Sequence, residues 1–325
     1  MLSHLCEYYF KETKMNLKMH SWIISLLFGT LFLGACSQDN NNNAITEENT
    51  EDLVAEVIVE EENEEEEEEF IPEASQQMTE FPWDEDEAFR SAQSEHEPDE
   101  LIAGYTTVFD VFPPEEEENV RLAASIIQGT VLEPGENFSQ NEIAGPYTEE
   151  KGYKEGDVYV SGEVMKDFGG GVCNVATTLY NAAIASNLEI VERHNHSMPV
   201  PYVPYGQDAA VAYGFKDFQF KNDTEHPMLI WTELVDNRLY VGFYGKEAAP
   251  EIVWEHDVSD ETATDTQYIV NPDLAEGEEN VLVEGMDGKV VDSILKVKHA
   301  DGEEERKELG QSVYNPLHHL IEKAE

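Results

Sequence analysis

The stretch GGGVCNVATTLYNAAIASNLEIVERHNHS, residues 169–197, changes its hydrophobic period halfway along, and that change decides the fold. Beyond Cys173, the apolar residues Val175, Leu179 and Ala182 fall on one helical face, and Asn187 is a stop that tolerates the left-handed backbone of a helix end. From Leu188 the period becomes two, which puts Leu188, Ile190, Glu192, His194 and His196 on one face of a strand. A helix that returns directly into a strand brings both histidines back toward its own start, where Cys173 occupies the first turn. A thiol attacks only as thiolate, and a helix N-terminus favours the thiolate through its unpaired N–H groups and aligned dipole. Gly169, Gly170 and Gly171 lack Cβ atoms, so their amides are expected to approach a substrate closely and to supply an oxyanion hole. His194 or His196 is the expected base, oriented by Asp208 or by Glu192. The rival use of Cys173, His194 and His196 as zinc or copper ligands lacks a second cysteine at ligand spacing. Neither metal nor cofactor is therefore expected.

Outward from this stretch the pattern is mixed. Ile102 to Phe109 reads as a strand and Asn119 to Gln128 as a helix, with Pro113 and Pro114 between them. Val158 and Val160 mark another strand, and Phe215 to Phe220 a further one. Met228 to Val235 pairs with Arg238 to Tyr244 across the two-residue turn Asp236-Asn237. The fold class is α+β: an antiparallel sheet with a nucleophile-bearing helix over residues 101–245. After Gly245 come short strand candidates, Asn280 to Glu284 and Val290 to Lys298, broken by glycines, which predict a small, separate all-β C-terminal module over 246–325.

The chain begins differently. Lys14 and Lys18 precede an apolar run from Trp22 to Leu33 that is short for a membrane span and of signal-peptide length. Leu33-Gly34-Ala35-Cys36 then resembles a bacterial lipobox, so residues 1–36 are expected to be a lipoprotein signal and Cys36 the lipidated anchor on the outer face of the bacterial membrane. Residues 37–100 contain the glutamate run Glu64 to Glu69 and a single arginine or lysine, Arg90, a composition that does not bury enough apolar surface to fold. This is read as a disordered acidic tether spanning about 45 Å as a flexible coil, with Phe81, Trp83 and Phe89 the first residues to dock on the folded domain. The formal charge of -51 repels phosphate backbones, which excludes nucleic acid as a partner. Of three cysteines, Cys6 leaves with the signal and Cys36 is acylated, so Cys173 is the only thiol of the folded part and no intramolecular disulfide forms.

A longer string of motifs supports a family reading. Pro134-Gly135-Glu136-Asn137-Phe138-Ser139, Gly145-Pro146, Lys151-Gly152-Tyr153, Gly169-Gly170-Gly171-Val172-Cys173, Glu192-Arg193-His194-Asn195-His196-Ser197 and Gly206-Gln207-Asp208-Ala209 together resemble the VanW-like domain from about Leu101 to Gly245. The resemblance implies a peptidoglycan role and, for some members, L,D-transpeptidase activity with a cysteine nucleophile. Carried over, Cys173 attacks the carbonyl of the third residue of a stem peptide, expels the terminal D-alanine and passes the acyl group to a second stem's amine, forming a 3-3 cross-link. The alternative is a non-catalytic peptidoglycan-binding lipoprotein. Asn174 stands where the family usually has Gln, and Ala176 where Ser is common. If the Gln side chain holds the oxyanion, the shorter Asn174 alters that donor, and a lost donor costs on the order of a hundredfold in rate. The C-terminal stretch, with Asp287-Gly288 and Tyr314-Asn315-Pro316, is similar to glycine-rich β-modules of wall-associated proteins.

Overall fold

The computed structural model describes residues 75–324 apart from 97, 99, 110–112, 161–162 and 300. The expected signal, Cys36 and the glutamate run lie outside the described residues. At the centre is an antiparallel sheet of five strands in the order β1-β2-β10-β9-β3: β1 Gln76–Gln77, β2 Glu100–Val108, β10 Arg238–Gly245, β9 Met228–Val235 and β3 Thr130–Leu132. The β9–β10 hairpin pairs Val235 with Arg238 as its turn residues imply, and Asp236 takes the positive φ of 52° that such a turn requires.

Alternate residues of β9 and β10 divide between two cores, because successive side chains of a strand point to opposite faces. Met228, Ile230, Leu239, Val241 and Phe243 join the main core, which takes in helix α2, Pro114–Ile127, and the Cys173 helix. Leu229, Trp231 and Tyr244 join the other, where Phe81, Trp83 and Phe89 pack. The acidic tether does not run to residue 100: β1 and helix α1, Glu87–His96, form the last part of that region. Its three aromatics supply the apolar area that the surrounding acids lack. Phe81 stacks on Trp83 at 4.7 Å, and the Trp83 indole donates to Tyr244 Oη at 2.8 Å. Gly104 and Gly242 face each other in the register of β2 and β10, and a Cβ at Gly104 would stand 2.2 Å from the Phe81 ring. The glycine pair is the seat for these rings.

Pro113 and Pro114 do more than separate elements. Pro114 is the first residue of α2, where the missing N–H has no partner to lose, so this helix starts earlier than its apolar spacing indicates. A short strand β4, Asn137–Ser139, leads into the single-turn helix α3, Gln140–Ile143, capped by the Ser139 hydroxyl at 3.1 Å from the Glu142 N–H. The hairpin of β5, Glu155–Val160, and β6, Glu163–Phe168, precedes helix α4, Val172–Ala185, which packs across β2 and β10. Asn187 ends that helix with φ 58°. Strand β7 is only Glu189–Glu192, and it pairs with β8, Gln219–Lys221. Two expectations fail here. The strand of His194 and His196 stops at Glu192, after a register shift against β8, so the two rings do not share a face. Phe215 to Lys216 belongs to a tight loop closed by an Ala212–Lys216 bridge, with Phe215 exposed.

The C-terminal region contains two three-stranded sheets. One is β11, Glu251–Thr262, β14, Gly288–Lys298, and β15, Glu304–Val313; the other is β12, Thr266–Val270, β16, His319–Lys323, and β13, Glu279–Val283, with β12 parallel to β16. The region is all-β but not separate. Leu295 and Val297 of β14 are buried in the main core, and Ile252, Trp254 and Leu309 pack against it.

Candidate active site

Cys173 is the second residue of α4, and its loop is built by close packing. Gly169 and Gly171 have φ of 85° and 95°, and Gly171 is the N-cap. A Cβ at Gly170 would lie 2.5 Å from the Gly156 carbonyl carbon, so the backbone of β5 fits against the loop only if that position is bare. Asn119 of α2, fully buried, locks the arrangement by donating to Gly170 O at 2.9 Å and Lys154 O at 3.0 Å while accepting from the Lys154 N–H at 2.7 Å. Gln140, also buried, donates to Val172 O at 3.0 Å from beneath. The glycines therefore serve packing more than substrate approach. Gly169 and Gly170 are buried, and the Gly169 N–H is committed to Lys154 O at 3.0 Å. Among the described residues, the N–H of Cys173 and the side chain of Asn174 make no hydrogen bond.

A polar stripe along α4 sets the partner segment. Cys173, Thr177 and Asn181 are four residues apart and so lie on one helix face, about 6 Å from one to the next. Alternate residues of an extended chain advance by about 6.6 Å, and Gln207, Ala209 and Val211 match that spacing. Asn181 donates to Gln207 O at 2.7 Å, Thr177 exchanges bonds with both the N–H and C=O of Ala209 at 3.0 and 3.2 Å, and Cys173 Sγ meets the N–H and C=O of Val211 at 3.4 and 3.5 Å. The out-of-phase residue, Asp208, is 1% exposed and is aimed away from the helix toward His196.

Asp208 is the hub. Its Oδ2 accepts from His196 Nδ1 and from the His196 N–H, both at 2.6 Å, and its Oδ1 accepts from Arg193 Nη2 at 2.9 Å and from the Tyr314 hydroxyl. With Nδ1 engaged by Asp208, the other ring nitrogen of His196 is the one left for Cys173, and the sulfur and the imidazole each shift the other's proton affinity. Glu192 does not orient this imidazole. It pairs instead with His194, whose Nε2 lies 2.9 Å from Glu192 Oε1 and whose main-chain carbonyl accepts from Ala210, and the pair is more than a third exposed. The structure thus joins Cys173, His196 and Asp208 and leaves His194 out. Among the described residues no group of histidine, cysteine and carboxylate side chains converges on a metal position.

The charges alternate through the site. Burial opposes ionisation of the Cys173 thiol, but the His196 hydrogen bond and charge, the Val211 amide and the Lys216 cation outweigh it and hold the thiol below its ordinary value. Burial likewise opposes the imidazolium, yet Asp208 and the sulfur push His196 up to about 10. Asp208, despite its burial, is held at about 2 by His196 and Arg193. A thiolate–imidazolium pair backed by a carboxylate is a nucleophile with its proton donor already in place. Four of the residues involved were not singled out from the sequence. Arg193 and Tyr314 lie inside motif segments without a visible role, whereas Asn119 and Gln140 left no local signal. The readable signal was the four-residue spacing of Cys173, Thr177 and Asn181 along one face of the helix.

An α+β domain with a half-buried Cys–His–Asp constellation, joined to an all-β module, is the class that fold and site define. Residues 115–244 match the family model for VanW like protein, and residues 255–322 match that for the G5 domain. The chain carries a VanW-like domain followed by a G5 domain. It is 37% identical over 146 residues to the uncharacterized protein YoaR of Bacillus subtilis, covering 45% of this chain and 48% of that one. It is 27% identical over 165 residues to the vancomycin B-type resistance protein VanW of Enterococcus faecalis, covering 49% of this chain and 60% of the relative. The chain thus spans about half the length of the curated relatives it matches. A solved G5 domain of an IgA1 protease is 32% identical, covers 25% of this chain and 98% of its own, and superposes with a TM-score of 0.14.

Proposed function

We propose that this protein acts on peptidoglycan stem peptides as an L,D-transpeptidase-type acyltransferase, with Cys173 as nucleophile. The observation that carries the reading is the hydrogen-bonded His196–Asp208 pair, whose imidazole acts on the Cys173 thiol. In the first half-reaction the thiolate attacks the carbonyl of the third stem residue. The carbon–sulfur bond forms, His196 gives its proton to the departing amine of D-alanine, and a thioester remains. In the second, the side-chain amine of another stem attacks the thioester and loses a proton to His196, the amide of a 3-3 cross-link forms, and the thiolate returns. The Cys173 N–H and Asn174 amide are the donors available to the oxyanion. Lys216 makes no ion pair among the described residues, although its charge reaches Cys173, and it suits the carboxylate of the leaving D-alanine. Tyr213 and Phe215 stand exposed on the same loop. A relative named for vancomycin resistance agrees with a stem-peptide substrate. Lipidated Cys36 and the acidic segment after it would hold the enzyme on the outer face of the bacterial membrane. The test is Cys173→Ala in the producing cell, followed by muropeptide analysis. Loss of 3-3 cross-links is expected. Unchanged cross-links, with a wild-type protein that forms them, would leave the non-catalytic wall-binding reading.

A further inference from the structure

The VanW match ends at residue 244 and the G5 match begins at residue 255, yet the hydrogen bonds that complete the site cross from one to the other. We infer that the C-terminal module is a working part of the active site: Tyr314 and Ser312, at the end of β15 and just beyond it, are positioning residues for the Asp208–His196 pair. The inference rests on the proposed Cys173–His196–Asp208 relay.

The geometry is specific. The Tyr314 hydroxyl donates to Asp208 Oδ1 and accepts the Gly206 N–H at 2.8 Å, and the residue is 4% exposed. Ser312, 1% exposed, accepts from Arg193 Nη1 at 2.7 Å, while Arg193 Nε and Nη2 hold the main-chain oxygen of Asp208 at 2.7 Å and its carboxylate at 2.9 Å. Two further bonds fix the loop that carries His196: Asn195 donates to Val313 O at 2.8 Å, and the Asn315 N–H donates to Ser197 O at 2.8 Å. Asp208 therefore has one oxygen committed to His196 and the other to two donors, one of them from the module. Without Tyr314 the Asp208 carboxylate loses one of the two donors that fix its orientation, so Oδ2 is held less firmly against His196 Nδ1 and the imidazolium loses part of that bond.

Every charged or titratable group around the relay enters the expectation. Arg193, Tyr180 and Tyr314 face Asp208; Asp208 and Cys173 face His196; His196, Lys216 and Tyr147 face Cys173. Only Tyr314 changes in Tyr314→Phe. A carboxylate that is held less firmly against Nδ1 lowers the proton affinity of His196 and raises that of Cys173, so the acid limb of Cys173 reactivity moves to higher pH.

The experiment measures the rate of iodoacetamide alkylation of Cys173 against pH in the full chain, with thermal melting as a check of folding. For Tyr314→Phe the acid limb is expected to rise by about one pH unit, with an unchanged rate at high pH where the thiolate forms without help. Ser312→Ala is expected to move it the same way by less. A folded Tyr314→Phe protein with the wild-type profile overturns the inference. Should that variant not fold, Ser312→Ala decides, and an unchanged profile there overturns it. Alkylation needs no peptidoglycan, so this outcome is separate from the muropeptide test: absence of cross-linking with a shifted profile leaves the positioning role standing and removes only the proposed reaction.

Discussion

Two carboxylate–histidine pairs lie within a few residues of each other, and they differ in almost everything except chemistry. Glu192 and His194 meet at 2.9 Å at the end of β7 with side chains 36% and 40% exposed. Asp208 and His196 meet at 2.6 Å with side chains 1% and 15% exposed. Water screens the first pair, and exposed ion pairs are worth about 0–1 kcal/mol. The second is out of water and is made tolerable by a second cation, Arg193, and by the Tyr314 hydroxyl. Burial of a charged group is costly unless it is fully partnered. The comparison teaches that a histidine becomes a candidate base through the partners of its carboxylate, more than through having a carboxylate.

The largest effect is expected where the buried hub is removed. Asp208→Ala leaves Arg193 and His196 without their shared anion, and denaturant unfolding should show a loss of about 3–5 kcal/mol. His196→Ala should act on the thiol more than on the fold: alkylation of Cys173 at pH 7 should fall about a hundredfold, since an adjacent opposite charge shifts a titration by one to three units. A His196→Ala protein as reactive as wild type would remove the relay. Lys216→Ala should slow alkylation only a few-fold, and the difference should shrink in high salt because the cation acts on the sulfur through its charge alone. His194→Ala should change neither alkylation nor stability beyond about 1 kcal/mol. Loss of thiol reactivity in that variant would reverse the assignment of the two histidines.

The same contrast predicts a pH dependence of stability. Asp208 is held at about 2 against an ordinary value of 3.8, so its contribution is complete above the ordinary value and is lost as pH falls toward 2. His196 is raised to about 10 from 6.5, so its contribution is complete below 6.5 and is lost as pH rises toward 10. Both are at full strength between about pH 4 and 6.5. Thermal melts across that range should peak there in wild type, and the alkaline decline should flatten in His196→Ala.

Local pattern accounts for much of this molecule. The period of α4, its stop at Asn187, the β9–β10 hairpin and its Asp236 turn are legible because each depends on neighbours within a few residues. Cys173 was legible as well, as the only thiol of the folded part at the start of a helix. The choice between His194 and His196 was not. A period of two puts them on one face only while the strand lasts, and β7 ends at Glu192 because its pairing with β8 does. Residues 75–96 looked like more tether because composition counts acids; their order comes from three aromatics finding a seat made by Gly104 and Gly242, some distance along the chain. Tyr314 was legible only as part of a β-module motif, and its bond to Asp208 had no local trace, since the two lie 106 residues apart and meet where β14 buries Leu295 and Val297 in the common core. Short-range periodicity is written in sequence order, so it determined the elements and the place of the Cys173 thiol at a helix start. Which charges are buried together is set by how the elements pack, and only the tertiary structure decided that His196 pairs with Asp208 and that the C-terminal module holds that pair.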